Sequence, residues 1–489
     1  MYDVAPAQLQ SFLNPILDFP FYALVVCCND QPRLIAFVMG AVHALNLLAI
    51  TLLAWHLFGR STRASVAERA ALTALAVVIG ATGAGSAPLI GANTGDLPAT
   101  VPLLFALLAF VVGVDWPDHR RGQLLLFLLA GFLAGIAVGV KITMAIYCIA
   151  MAAAVVVLPL RVWPGALGAM GLGGVAGAVL TAGWYWLYMW RTFANPLFPL
   201  YNGVFKSPWW EAVNVRDERF LPHGPSDWLL FPFKWAVSRS QGGLVAEYDF
   251  SDIRVALMLT LLVVILALSV WRRVRAGAGT APVDRSSGDP RRGAMALLII
   301  LPVAYVIWLG MFSIYRYLIP LELLSGILII LLLREMVANR MVVAALAVVA
   351  AVGCVASTKP LDWGHSAFAG GRYIEVAPTT LPPDALVVLT STEPIAHIIP
   401  FFDRGVRWVS VYSNILRPSQ TNGLVTKARQ LIQAHQGPIY ALEAGSVPAA
   451  TTDGVLKEVS LVRSDGACVP LASNLTGETY KFCPLIRAP

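Results

Sequence analysis

The stretch LLLFLLAGFLAGIAVGVKITMAIY, residues 124–147, decides how the chain is to be read. Its one charge is Lys141, and the apolar run before it is long enough to cross a hydrocarbon layer of about 30 Å as a helix. A helix is required there, because backbone N–H and C=O groups left unpaired in lipid are costly. Gly131, Gly135 and Gly139 recur at four-residue spacing, leaving a bare strip on one face that permits close approach of a second helix. Lys141 then has two readings. It snorkels to the nearer interface, or it faces a cavity where an ammonium would suit a lipid-linked phosphate.

Similar runs fill the chain on either side, and spans are expected at about 34–58, 70–92, 98–114, 123–140, 143–160, 165–188, 253–271, 294–312, 317–333 and 341–357. Composition agrees: of 489 residues 57% are hydrophobic and 13% charged, more apolar surface than one water-soluble core can bury. The expected class is an α-helical polytopic membrane protein with about ten transmembrane helices, its first partners being membrane lipids. The net charge of +7 does not point to nucleic acid, because the basic residues sit mostly in short connections. These are Arg60, Arg63 and Arg69; Arg120 and Arg121; Arg161; Arg272, Arg273, Arg275, Arg285, Arg291 and Arg292; and Arg334 and Arg340. By the positive-inside rule they face the cytoplasm.

The remaining connections then face outward: residues 93–98, the break at Lys141, the long loop 190–252 and the turn 315–320. The loop is rich in Trp, Tyr, Phe and Pro, as in NPLFPLYNGVFKSPWW and WLLFPFKWAVS. That fits either an interfacial aromatic belt or a loop that touches substrate. Residues 358–489 also fall outside, and their composition is that of a soluble domain. There 385–390, 407–412 and 438–442 read as strands and 423–434 as a helix, giving a small α/β domain. It carries no glycine-rich phosphate loop, clustered metal ligands or nucleophile motif.

Cys468 and Cys483 would close a short loop as a disulfide in an oxidising compartment. Cys27, Cys28, Cys148 and Cys354 lie in or beside apolar segments, where a thiol behaves as a small hydrophobe. Residues 1–33 form an outer-face interfacial segment, with 1–13 an amphipathic loop and 14–28 a short amphipathic helix. No cleavable signal peptide is expected. The topology places Met1 outside with no span before it, so a first helix missing from the reading frame is expected.

Charge beside a span is expensive, which makes three outer residues candidates for chemistry. Asp96, in GANTGDLPA (residues 91–99), is placed to act as a general acid or base or to bind a cation. Its plain alternative is an N-cap for the helix beginning near Pro98. Arg316, in FSIYRYLIP (residues 312–320), has the fork geometry that binds phosphate bidentately. Tyr315 and Tyr317 beside it would hold that side chain or stack on a sugar, and an interfacial anchor is the plain alternative. Lys141 is the third. His43 and Asn46, one turn apart on the first span, read as interhelical hydrogen-bonding groups.

Four stretches in this order resemble the GT-C superfamily, membrane glycosyltransferases that use polyprenyl-phosphate-linked sugars: QSFLNPILDFPFYAL (10–24), GVKIT (139–143), FANPLFPLYN (193–202) and YRYLIP (315–320). Membership implies transfer of a sugar from a lipid-phosphate donor to a glycan or lipid acceptor of the cell envelope, on the periplasmic face of a bacterial inner membrane. In such enzymes an acid of the first outer loop activates the acceptor hydroxyl, while cationic groups or a metal stabilise the phosphate leaving group. Arg316 and Lys141 match the second role. Asp96 matches a second outer-loop acid. Asp3 and Asp18 are the weaker matches to the first. A divalent cation is the one cofactor the resemblance leaves open.

Two other classes share these features. A transporter or flippase of lipid-linked glycans would also hold basic groups at membrane depth, and inverted repeats would mark it, though none is visible. A non-catalytic envelope assembly protein would use the C-terminal domain to bind a partner.

Overall fold

The structure, a computed structural model, describes residues 14–488 apart from 61–64, 93, 117–118, 238–243, 277–291, 364–370, 393–394, 414 and 476–478. Residues 1–13 with Asp3, and Arg63, Arg285 and Arg291, lie outside the described residues. In chain order the helices are α1 (Phe19–Cys28), α2 (Pro32–Gly59), α3 (Val66–Ala81), α4 (Asp96–Val114), α5 (Arg120–Val140), α6 (Ala145–Ala154), α7 (Trp163–Ala178) and α8 (Trp184–Phe193). They continue as α9 (Asn202–Phe205), α10 (Pro225–Val237), α11 (Arg254–Ala276), α12 (Arg292–Met311), α13 (Ile319–Met336), α14 (Arg340–Ser357), α15 (Gly423–Ala434) and α16 (Ala449–Glu458). Among the described residues, eight helices are long and apolar enough to cross a membrane, α7 and α8 counting as one through a wide π turn at Val179–Gly183.

Ten spans were expected, and the remaining two are shorter helices. The one expected at 143–160 runs over Ile142–Val157 and stops ahead of Pro159, whose ring and missing N–H end a helix. The one expected at 70–92 ends at Ala81 because charges from elsewhere hold the chain that follows. Glu322 on α13 accepts the N–H groups of Gly85 (2.9 Å) and Ser86 (2.7 Å), and Asp252 accepts that of Ala84 (3.0 Å). Arg254 donates to the carbonyls of Ile79 (2.7 Å) and Thr82 (2.8 Å), meeting groups that a helix end leaves unpaired. At Gly83 a Cβ would stand 2.0 Å from the Glu322 carboxyl, so a larger residue there would displace that carboxyl from its two N–H groups.

The glycine strip of α5 packs on α7. A Cβ at Gly131 would meet the carbonyl oxygen of Met170 at 2.1 Å, and one at Gly135 that of Gly174 at 2.0 Å. α13 is the central helix, buried without interruption from Ile319 to Leu333. Asn46 links α2 to α4 by donating to the Leu97 carbonyl (3.1 Å).

The helix ends sort by chemistry. At one end the basic connections meet: His56 Nε2 is 2.8 Å from Asp115 Oδ2, Gly293 donates its N–H to Asp115 Oδ1 (2.9 Å), and Arg340 reaches Glu68 (3.3 Å). At the other lie Asp96, Lys141, Arg316 and the described parts of the loop 190–252.

One expectation needs correction at the N-terminal side. The helix expected at 14–28 to be amphipathic is a turn, Pro15–Leu17, followed by α1, whose sequence FPFYALVVCC has no charged or amide side chain on any face. None of its residues is buried, and its last two, Cys27 and Cys28, are paired with each other.

The C-terminal region holds β1 (Leu386–Leu389), β2 (Arg407–Ser410), β3 (Ile439–Ala444), β4 (Leu461–Arg463), β5 (Val469–Ala472) and β6 (Thr479–Arg487). The sheet order is β2-β1-β3-β6-β4, with β5 also on β6; β1 is parallel to both β2 and β3, and β6 is antiparallel to β3. Cys483 of β6 is bonded to Cys468, at 2.03 Å. The first part of the aromatic loop packs against this domain: Phe193, Phe198 and Trp210 share a core with Leu416, Leu424 and Val425. Asn422, which caps α15, also donates to Glu211 (3.1 Å).

Candidate functional site

The site begins where the sequence breaks two helices. Gly95 is the N-cap of α4 with φ +73°, a left-handed turn that glycine enters freely. Asp96 is therefore the first helical residue rather than the cap. Its Oδ1 instead accepts from Lys141 Nζ at 2.5 Å, with the Asp96 side chain wholly buried and that of Lys141 only 10% exposed. Lys141 is held there because α5 ends on it: its N–H closes the last turn on Ala137, while its own backbone is extended before the tight turn Ile142–Met144. Burial and this ion pair set aside the reading of Lys141 as a snorkelling side chain.

A second turn brings the other cation. Tyr317 lies on the turn Tyr315–Leu318, and Tyr147 of α6 fixes it by donating its hydroxyl to the Tyr317 carbonyl (2.7 Å). The Lys141 ammonium stands 5.1 Å from the centre of the Tyr317 ring and the Arg316 guanidinium 5.6 Å from it, both within cation–π range. Arg316 also interacts electrostatically with Asp96, Lys141 and Glu247. Three polar atoms here are buried and without a hydrogen-bond partner among the described residues: Oδ2 of Asp96, Oγ1 of Thr94 and Nε of Arg316. Unmet polar groups at such depth cost free energy unless something arrives to pair with them.

The stretch from Asn14 to Leu17 ties the two loops together. Asn14 is buried and donates to the carbonyls of Gly139 (2.9 Å) and Thr181 (3.0 Å), two residues before Lys141 and within the π turn. Leu17 covers Gly95, where a Cβ would lie 2.8 Å from its Cδ1. One short stretch thus braces both the Asp96 turn and the Lys141 break.

Tyr315 does not join this group. It is fully buried on the other side of its turn, packed on Phe250 and Trp235, with ring atoms near Gly85. Asp18 is exposed at the start of α1. At the rim of the site Arg219 grips Asp217 with two bonds (2.9 and 2.7 Å), and that pairing holds the Asp217 carboxyl below its ordinary range. Arg216 donates to the Met311 carbonyl (3.2 Å), which sets this part of the loop over the end of α12. No three His, Cys, Asp or Glu side chains among the described residues come together to hold a metal ion.

The cluster of Asp252, Arg254 and Glu322 went unread in the sequence. Its signal is Glu322 in PLELLSG (residues 320–326), a carboxylate inside an apolar run. Every charged nitrogen and oxygen in it has a hydrogen-bond partner within the protein, which makes it a structural clamp. The Asp96 group differs in having unmet atoms.

Compared with protein-family models, curated proteins and solved structures, the chain matches none. What fold and site define is a mostly helical protein, apolar enough to span a membrane, with an acid and two cations gathered at one end of its helices.

Proposed function

We propose that the protein is a membrane glycosyltransferase that moves a sugar from a polyprenyl-phosphate donor to a glycan or lipid acceptor of the cell envelope. The observation that carries this reading is the meeting of Asp96, Lys141 and Arg316 around the Tyr317 ring, with Asp96 Oδ2 and Arg316 Nε both unpaired among the described residues. An unpaired carboxylate oxygen suits an acceptor O–H, and an unpaired guanidinium N–H suits a phosphate oxygen. Both needs are met by one reaction. The acceptor oxygen attacks the anomeric carbon and forms the new glycosidic bond as its proton passes to Asp96. The bond from that carbon to the phosphate oxygen breaks, and the lipid phosphate leaves with the electron pair. Lys141 and Arg316 stabilise the charge that builds on it.

The basic groups described at the far end of the helices lie opposite the site, and by the positive-inside rule this supports a site on the periplasmic side of a bacterial inner membrane, with residues 358–489 on the same side. The test is a transfer assay with purified protein and labelled polyprenyl-phosphate sugars. Asp96→Asn and Arg316→Ala are each expected to lower transfer by a factor of about 100 or more, the range for losing an acid–base group or one charge-stabilising donor. Full activity in both variants, or none in the wild type with any polyprenyl-phosphate sugar and acceptor lipid, overturns the reading.

A further inference from the structure

Among the described residues Lys141 has one strong partner, and that partner is an anion of the protein's own. Asp96 Oδ1 takes the ammonium at 2.5 Å, and the nearest alternative, the Thr94 carbonyl, is 3.5 Å away. The two members of the pair are not equally open. While the pair is closed the Asp96 side chain has no exposed surface, whereas Lys141 keeps a small one, and Arg316 lies against the same Tyr317 ring as Lys141. An anion that comes in towards Arg316 therefore meets an ammonium already engaged by a carboxylate.

On the reading of these cations as a phosphate site, we infer that Asp96 is a built-in competitor for that site. Lipid phosphate binds by taking Lys141 over from the Asp96 carboxylate, and it leaves when the carboxylate returns. No bond is made or broken in the exchange and no proton moves. Its use lies in the charge change of the reaction. The donor is a phosphodiester carrying one negative charge, and the product is a phosphomonoester that carries up to two. Two cations alone would hold the product more tightly than the donor. A carboxylate that can reclaim one of them limits that trap. The same exchange leaves Asp96 free of Lys141 once the donor is bound, when the acceptor hydroxyl needs it.

The test is binding of a polyprenyl phosphate monoester, without sugar, to the full-length protein in nanodiscs. Asp96→Asn keeps the shape and removes the competing charge, so it is expected to bind the monoester about tenfold more tightly than wild type. Lys141→Met and Arg316→Gln are expected to bind it about tenfold more weakly. In the double variant Lys141→Met/Asp96→Asn the gain from Asp96→Asn should vanish, because no ammonium remains to be freed. Unchanged or weaker binding by Asp96→Asn, with the two cation variants weakened, overturns the exchange and leaves the phosphate site standing. If neither cation variant changes binding, the phosphate-site reading fails with it. Should Asp96→Asn not fold, wild-type protein labelled with 13C-aspartate gives a second readout: ligand must shift a carboxylate band in the infrared difference spectrum, and an unshifted spectrum overturns the exchange.

Discussion

Arg254 donates through Nη1 to Asp252 Oδ2 at 2.7 Å, and neither side chain has any exposure. The rest of the guanidinium is spent on the Ile79 and Thr82 carbonyls and on the hydroxyls of Thr82 and Thr358. This one side chain therefore fastens the end of α3 to the start of α11 and to the chain leaving α14. Glu322 completes the clamp from α13.

Removing one member of a buried charge cluster leaves its partners unpaired, which typically destabilises by about 3–5 kcal/mol. Arg254→Met is expected to lose stability on that scale, read as a lower midpoint of thermal unfolding in detergent. Glu322→Gln keeps one acceptor oxygen for the two N–H groups and should lose less. Equal midpoints for Arg254→Met and wild type would show that the clamp carries no load.

How much of this could be read beforehand differs by element. Long apolar runs such as 294–312 announce themselves, because length and the lack of charge are local properties. α15 was legible for the same reason: its apolar residues recur at helical spacing behind Asn422, a good N-cap. The stop at Ala81 was not legible, since it depends on Glu322, which lies 236 residues further along from Ser86. The site divides likewise. Asp96, Lys141 and Arg316 each stood out as charges beside spans, but their meeting is a tertiary fact. Tyr315 and Tyr317 looked equivalent in sequence, and the tight turn sends one to the core and the other to the cations.

The glycine strip gives the next expectation. At Gly135 a Cβ would meet the Gly174 carbonyl oxygen at 2.0 Å and the Ala178 nitrogen at 2.9 Å, both backbone atoms that cannot rotate away. Gly135→Ala must push α5 from α7, and overpacking of this kind costs about 1–3 kcal/mol. Gly168→Ala on α7 meets nothing within 4 Å and serves as the control. A reduced unfolding midpoint confined to the first variant is the expected result, and equal midpoints would contradict the packing.

Asn14 makes a separate prediction because it braces the site without facing it. Asn14→Ala leaves the Gly139 and Thr181 carbonyls without their side-chain donor, and an unsatisfied buried group costs about 1–3 kcal/mol. The loosened break at Lys141 should weaken phosphate binding as well. A fall in stability with unaltered binding of polyprenyl phosphate would confine Asn14 to the fold.

The joint between the aromatic loop and the C-terminal domain can be tested at a single atom. Asn422 uses its oxygen to cap α15 at the Val425 N–H (3.1 Å) and its nitrogen to reach both carboxylate oxygens of Glu211 (3.1 and 3.3 Å). Asn422→Asp keeps an acceptor for the cap, a role aspartate fills as well as asparagine. It replaces the donor facing Glu211 with a second negative charge. The domain should therefore keep its own fold while its contact with Trp209, Trp210 and Glu211 is repelled. Limited proteolysis is expected to open the loop 207–215 in this variant, and the double variant Asn422→Asp/Glu211→Gln should restore protection by removing the like charge. Asn422→Ala loses the cap too, at about 1 kcal/mol, and should not be rescued in the same way. Unchanged proteolysis in Asn422→Asp would show that the apolar contacts of Phe198, Trp210, Leu416 and Leu424 hold the joint without it.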